Sequence, residues 1–518
     1  MNHIFQNKWM VSIFAGFLLG LSFPPINLSF LSIPAFMLFF HLIHLCNSNK
    51  QLAFYSYAGF LVWNVCTTYW LMMASVAAGI AANLANAVLM TIPLVGMRFF
   101  QNKYKSKLLI VLLQASVWTS YEFLHHHWDL AWPWLAIGNA WSSRIMLIQY
   151  ISITGHLGIT FWVVFTSAIG YQAIRSTNKI YTYYTLAALV LFPSFSILVF
   201  ILDKPLETNE EFIAVTVIQP NHDSYQNYGG MSGTREVIDS LMSISKKSIT
   251  DKSQLIVWPE NSIDAAIRMD SRHTYRIADS ALSWNTNFIV GSGLFTIYED
   301  ERPISHRYSP KSEIAYNIFN STLYVNSDGT LDRYDKANLV PIVERIPFLD
   351  FLMTIDIFNI VDWSDLAFYG KGNTPSMLEA EKFTTPGLIC YDSIYPSWIR
   401  KFVNNGAGFL TIITNDGWWG NSSGHRQHFE YAKLRAIEFN RWIVRSANNG
   451  TSGIIRPNGS VEQKTDYWIK TSFNSNIPII KKRTFYAIYG DWLPNICLAV
   501  SLLFLVFGFW DKRDFLSR

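Results

Sequence analysis

The first 200 residues alternate long apolar runs with short polar breaks. The runs fall near 8–23, 28–46, 54–75, 79–99, 107–125, 157–175 and 180–202, and a last one lies near 493–510. About 20 apolar residues cross a bilayer core, so the pattern predicts about eight transmembrane helices. The first run stops at Pro24-Pro25, and Ser22-Phe23-Pro24-Pro25 is a poor cleavage site. It therefore reads as an uncleaved helix rather than a signal peptide. From about residue 211 the period changes. Strand-like runs at Phe212 to Ile218, Leu255 to Val257 and Phe288 to Val290, and near 316–325, 386–391, 408–414, 442–447 and 452–456, alternate with helical patterns at 233–250, 271–284 and 426–440. Such alternation implies one α/β domain. Gly291-Ser292-Gly293 reads as a turn, because it lacks the context of a phosphate-binding loop.

Composition agrees with a membrane body. Half of the 518 residues are apolar and only 15% are charged, against roughly 25% in soluble domains. A net charge of +4 without a long basic run speaks against nucleic-acid binding. Lys8, Lys50, Arg98, Lys103, Lys105, Lys107, Arg175, Lys179, Lys512, Arg513 and Arg518 fall at alternate ends of the apolar runs, and the other short connections hold only Arg144. The positive-inside rule then predicts both termini in the cytoplasm and residues 203–490 outside. The expected organisation is helices one to seven in 1–205, an outer α/β domain in 206–490, and a final helix with a short tail in 491–518. The tryptophan-rich stretch 126–156 is expected at the outer interface, where indole rings favour the headgroup level. Glu122 lies within an apolar run; near its outer end, a structural hydrogen bond is as good a reading as function.

The four cysteines, Cys46, Cys66, Cys390 and Cys497, form no C-x-x-C pair, which leaves little support for zinc or redox chemistry. Only Cys390 falls in the α/β domain. It follows a strand-like run, so it is either an inert buried thiol or a nucleophile held at the lip of a site. Glu260, Lys336 and Glu344 also follow such runs. A carboxylate beside Trp258-Pro259 could activate a thiol, and a lysine could stabilise an oxyanion. His425 and His428 lie three apart, but no third metal ligand is evident and a structural role fits better.

Trp258-Pro259-Glu260, then Lys336 with Leu339-Val340-Pro341 and Glu344, then Cys390-Tyr391-Asp392 resemble the nitrilase, or carbon–nitrogen hydrolase, superfamily. Thr414-Asn415-Asp416-Gly417-Trp418-Trp419-Gly420, Gln427-His428, Arg435-Ala436-Ile437-Glu438 and Arg445 to Gly450 narrow the likeness to one branch. With the apolar runs, Trp132-Pro133-Trp134, Gly138, Tyr486 and Gly490-Asp491, nearly the whole chain is similar to the apolipoprotein N-acyltransferase family of the bacterial inner membrane. The resemblance implies an extracytoplasmic αββα sandwich in the periplasm. It implies a general base at Glu260, an oxyanion stabiliser at Lys336 and an acylated nucleophile at Cys390. Glu344 would orient Lys336 or assist as a second carboxylate, Tyr391 would lend a backbone donor, and Asp392 would support the nucleophile. The implied reaction moves an acyl chain from a phospholipid, typically phosphatidylethanolamine, through a Cys390 thioester to the α-amino group of a diacylglyceryl-cysteine apolipoprotein. It needs no cofactor and no metal. The implied lipid entrance lies near 126–156 and 362–373. The rival is a membrane-tethered amidase with water as acceptor. Asp392 stands where the family often has Glu, and Ile342-Val343 where it more often has Phe-Gly.

Overall fold

The computed structural model describes residues 6–202, 211–309, 311–355 and 368–510. It divides into two compact units, Met1–Lys204 with Ser422–Glu438 and Thr484–Arg518, and Pro205–Asn421 with Phe439–Arg483.

The first unit is helical. Helices occupy every expected run: Lys8–Ser22, Ser32–Leu45, Asn49–Thr68, Val76–Lys103, Lys107–His125, Leu157–Arg175, Ile180–Leu202 and Trp492–Trp510. Among the described residues, the last five of these are long and apolar enough to cross a membrane. The first two are shorter, and Asn49–Thr68 turns Ser56, Asn64, Thr67 and Thr68 inward. The 126–156 stretch folds as short helical turns at Pro133–Leu135, Ile137–Trp141, Ile145–Leu147 and Ile151–Thr154. Trp134 and Trp141 are buried within the unit, whereas Trp128 stays exposed. Glu122 is held structurally: Trp118 Nε1 and the Ile137 N–H donate to Oε1 at 2.8 and 3.0 Å, and Thr160 donates to Oε2 at 2.6 Å.

Helix Ser423–Phe439 is placed by its polar residues. Gln427 is buried, and its amide makes four hydrogen bonds within the helical unit. Oε1 accepts from Trp70 and Trp134 indoles at 3.0 and 2.8 Å, and Nε2 donates to the Pro24 and Thr67 carbonyls at 2.9 and 3.0 Å. At the other end Glu438 accepts from the His156 N–H at 2.6 Å and pairs with Arg435 at 2.8 Å.

The second unit holds two sheets. The eight-stranded sheet runs Thr471–Pro478, Phe212–Gln219, Leu255–Val257, Asn287–Tyr298, Ile314–Val325 and Arg307–Ser309, with Ile263–Ile267 and Leu331–Asp335 paired off this path. The five-stranded sheet runs Gly387–Ile389, Leu410–Thr414, Ile443–Ala447, Gly453–Ile455 and Val461–Lys464. Phe212–Gln219, Leu255–Val257 and Asn287–Tyr298 in the larger sheet, and Gly387–Ile389, Leu410–Thr414 and Ile443–Ala447 in the smaller, run parallel and are largely buried, as β-branched runs without polar alternation require. Hydrogen bonds cross between the sheets: Thr322 Oγ1 donates to the Gly387 carbonyl at 2.7 Å, and Ser446 Oγ to the Ile218 carbonyl at 2.8 Å. Helices Thr234–Ser248 and Arg272–Trp284 pack Leu241 and Ile277 into the core of the larger sheet. Pro396–Asn404 and Ser423–Phe439 are the crossovers of the smaller one. This is the expected α/β class. Helix Pro396–Asn404 and strand Thr471–Pro478 are additions to the expected elements.

Replacing Gln427 by Leu leaves two indole N–H groups and two carbonyls buried without their partner. The expected loss is on the order of 2–4 kcal/mol, read as a lower melting temperature of the full-length protein in detergent. A melting curve unchanged from wild type would show that this amide does not hold the helix.

Candidate active site

Each expected triad residue stands just past the end of a strand: Glu260 after Leu255–Val257, Lys336 after Leu331–Asp335, and Cys390 after Gly387–Ile389. Parallel strand ends collect side chains from separate parts of the chain at one rim. The ladder between Ile314–Val325 and Leu331–Asp335 sets Ser321 opposite Asp335. The next step brings Asn320 opposite Lys336, whose N–H donates to the Asn320 backbone carbonyl at 2.9 Å.

Lys336 is 1% exposed and lies between two carboxylates, Nζ being 2.8 Å from Glu344 Oε1 and 3.3 Å from Glu260 Oε1. Glu260 also accepts from Asn320 Nδ2 at 2.8 Å on Oε1, and from the Asn415 N–H at 2.9 Å on Oε2. Glu344 accepts from Asn320 Nδ2 at 3.2 Å and from the Val340 N–H at 2.8 Å. Burial alone lowers the Lys336 pKa, but Glu344 and Glu260 outweigh it and hold the ammonium well above the usual lysine range. Lys336 is thus held as a buried cation.

Cys390 has φ of 45°, in the left-handed region. The strand breaks there into a tight helical turn, Cys390–Ile394. A non-glycine residue in this conformation costs about 1–3 kcal/mol and persists only where the surroundings impose it. Burial pushes the Cys390 thiol well above its usual range, Glu260 pushes it further, and the Lys336 charge opposes them. Asp416 and Glu344 act on it in the same direction as Glu260. The resting sulfur is therefore protonated, and a base must take its proton when it reacts. Asp416 is paired with Arg445 at 2.8 Å, both side chains fully buried.

Asp392 ties the cysteine turn to the lysine segment. Its Oδ1 accepts from the Asn338 N–H and Nδ2 at 2.8 and 2.9 Å, and Oδ2 from the Tyr334 hydroxyl at 2.8 Å. The shorter acid therefore reaches partners on both sides of Lys336. Tyr391 is buried with its ring centre 5.2 Å from that of Tyr395.

Gly291-Ser292-Gly293, expected as a turn, lies inside strand Asn287–Tyr298. The glycine serves close approach: a Cβ at 291 would lie 2.3 Å from the Pro259 carbonyl oxygen and 2.5 Å from the Glu260 Cα. The His428 ring packs against Trp134, with ring centres 5.7 Å apart, and His425 is buried. No group of three or more metal-ligating side chains occurs among the described residues. In the expected entrance loop 362–373, residues 362–367 lie outside the described residues, as do Lys512, Arg513 and Arg518. Sequence reasoning assigned no role to Asn320, Asn338 or Asn415. The first becomes visible once the 321–335 pairing is known.

The description "Carbon-nitrogen hydrolase" belongs to the family model that matches residues 183–474, more than half of the chain. The chain belongs to the carbon–nitrogen hydrolase family. Residues 15–169 match a second family model, the apolipoprotein N-acyltransferase N-terminal domain. Apolipoprotein N-acyltransferase of Chlorobaculum tepidum is 24% identical over 97% of this chain and 96% of its own. That of Geobacter metallireducens is 25% identical over 98% and 96%. A solved CN-hydrolase superfamily protein from Xanthomonas campestris aligns over 52% of this chain and 91% of its own, at 15% identity and a TM-score of 0.37.

Gly291→Ala should displace residues 259–261 and lower the rate of Cys390 modification at least tenfold, a loss of about 1.4 kcal/mol; an unchanged rate would mean that the strand yields instead. Asp392 is raised to about 6, chiefly by burial and against the Lys336 charge, so its folded pKa lies above the unfolded value of about 3.9. Its contribution is fully present below about pH 4 and is lost as pH rises through about 6. Thermal melts across that window should fall less steeply with pH in Asp392→Asn than in wild type.

Proposed function

We propose that this carbon–nitrogen hydrolase is an apolipoprotein N-acyltransferase, moving an acyl chain from a phospholipid to the N-terminal diacylglyceryl-cysteine of a lipoprotein. The observation that carries the reading is a buried Glu260–Lys336–Glu344 cluster acting on the Cys390 thiol, in a chain that also has several apolar helices able to span a membrane. The full-length relatives support the same activity.

In the first half-reaction Glu260 takes the thiol proton as the Cys390 sulfur attacks the ester carbonyl of the lipid. The C–O double bond opens to an oxyanion, which the Lys336 ammonium and the Tyr391 N–H stabilise. Collapse expels a lysophospholipid alkoxide, which recovers the proton from Glu260, and leaves a thioester. In the second, the α-amino nitrogen attacks the thioester carbon, Glu260 accepts the amine proton, and the departing sulfur regains it as an amide forms. No external energy source is required, because a thioester is a stronger acyl donor than an amide. Glu344 and Asp392 hold Lys336 and the cysteine turn in place.

The donor is assigned as phosphatidylethanolamine. The apolar runs support eight membrane helices in 1–205 and 491–518, and the distribution of basic residues supports both termini in the cytoplasm with residues 206–490 outside; the family resemblance makes that outer side the periplasm. The bacterial inner membrane is the compartment that holds both lipid substrates.

Intact-mass spectrometry after incubation with phosphatidylethanolamine should show one added acyl mass, removed by neutral hydroxylamine and absent from Cys390→Ala. Addition of a diacylglyceryl-cysteine peptide should discharge it to the peptide. Release as free fatty acid, with the peptide unmodified, would instead establish the hydrolase. Absence of any adduct on accessible lipid would overturn acyl transfer through Cys390.

A further inference from the structure

The site holds two carboxylates against one ammonium, Glu260 and Glu344 around Lys336. With a protonated thiol this leaves an excess negative charge in a buried place. Like charges so close together repel, and a carboxylate that is to serve as the base needs donors that stabilise its charge. The described groups facing Glu260 are Lys336, Glu344, the Cys390 thiol and Tyr369, together with the Asn415 N–H. Lys336 is the sole cation among these. Asp416, which also acts on Cys390, is paired with Arg445.

Asn320 stands between the two acids. One nitrogen serves both, donating to Glu260 Oε1 at 2.8 Å and Glu344 Oε1 at 3.2 Å. The side chain is buried, and its Oδ1 has no hydrogen-bond partner. A buried acceptor left unmade costs about 1–3 kcal/mol, so the amide is oriented by its donors alone. The backbone is held on both sides, by the ladder to Gly293 and by the Lys336 N–H. Asparagine provides two donors and no charge. A second lysine here would neutralise the carboxylates too strongly for one of them to act as a base, and an aspartate would add a third like charge.

We propose that Asn320 is a positioning residue whose amide N–H groups bridge Glu260 and Glu344 around Lys336 and stabilise their negative charge, so that Glu260 is placed to take the Cys390 proton. The proposal rests on the acyl-transfer reading for its substrate, and on the geometry alone for its effect on the thiol.

The test follows the pH dependence of Cys390 acylation by phosphatidylethanolamine in the full-length protein, by intact mass, in wild type, Asn320→Ala, Asn320→Ser and Asn320→Asp. Loss of both donors in Asn320→Ala should move the acid limb of the rate profile up by about one pH unit or more, while the rate at high pH recovers to within a few-fold of wild type. Asn320→Ser, with one donor, should fall between. Asn320→Asp, which is nearly isosteric and provides a reading should the smaller variants not fold, should shift furthest. A uniform loss at every pH with the limb in place would mark a merely structural residue and overturn the proposal, as would unchanged profiles. Alkylation of Cys390 by iodoacetamide over the same pH range needs no lipid. If wild type takes no acyl chain but its alkylation limb still moves in Asn320→Ala, acyl transfer fails and this inference stands. If wild type is acylated and the limbs do not move, acyl transfer stands and this inference fails.

Discussion

The buried ammonium of Lys336 is the interaction on which the site depends. It lies within ion-pair distance of both Glu344 and Glu260, and burial without them would favour the neutral amine. The carboxylates in turn are tolerated in a dry place because the cation and three kinds of N–H donor meet them: the Asn320 amide, the Asn415 backbone and the Val340 backbone. Removing one member of such a cluster leaves the others uncompensated, which costs far more than the pair's net contribution to stability. The sandwich around it is the frame that holds these charges together.

That frame works through strand ends. Glu260, Lys336 and Cys390 come from three separated stretches, and each leaves its strand at the same rim. Local features finish the placement. Gly291 lets the Glu260 segment approach its neighbouring strand, the left-handed backbone at Cys390 ends its strand in a tight turn, and Asp392 binds Tyr334 and Asn338 on either side of the lysine. The resting state is a protonated thiol in the field of a base and a fixed cation. This suits the proposed acyl transfer, with Glu260 as its base and Lys336 beside the oxyanion. It would suit attack by water on the thioester equally well, so the choice of acceptor belongs to whatever controls access.

Helix Ser423–Phe439 shows a division of labour within one element. By chain order it is the crossover between two parallel strands of the smaller sheet, yet most of its length belongs to the helical unit. Gln427 explains this, since each polar valence of its amide is met by a group from the N-terminal helices and loops. The periodicity of 426–440 does not signal it: exposed Arg426 and half-buried Glu430 and Lys433 mark the polar face, and Gln427 lies off it among buried positions.

The amino-acid sequence by itself determined the helix positions, the α/β class and the motif residues. Apolar length, strand period and the Trp258-Pro259-Glu260, Lys336 and Cys390-Tyr391-Asp392 stretches are all local properties of the chain. It also made Glu122 readable as a structural acid, from its place near a helix end. Tertiary structure alone decided which polar residues meet. Asn320 faces Lys336 through ladder register, and Gly291 is a close-approach glycine because Glu260 crosses over it; in the linear pattern the first looks like any strand asparagine and the second like a turn. Register, the approach of one backbone to another and the count of charges in a buried site depend on residues far apart in the chain, and a linear pattern carries no information on their distances.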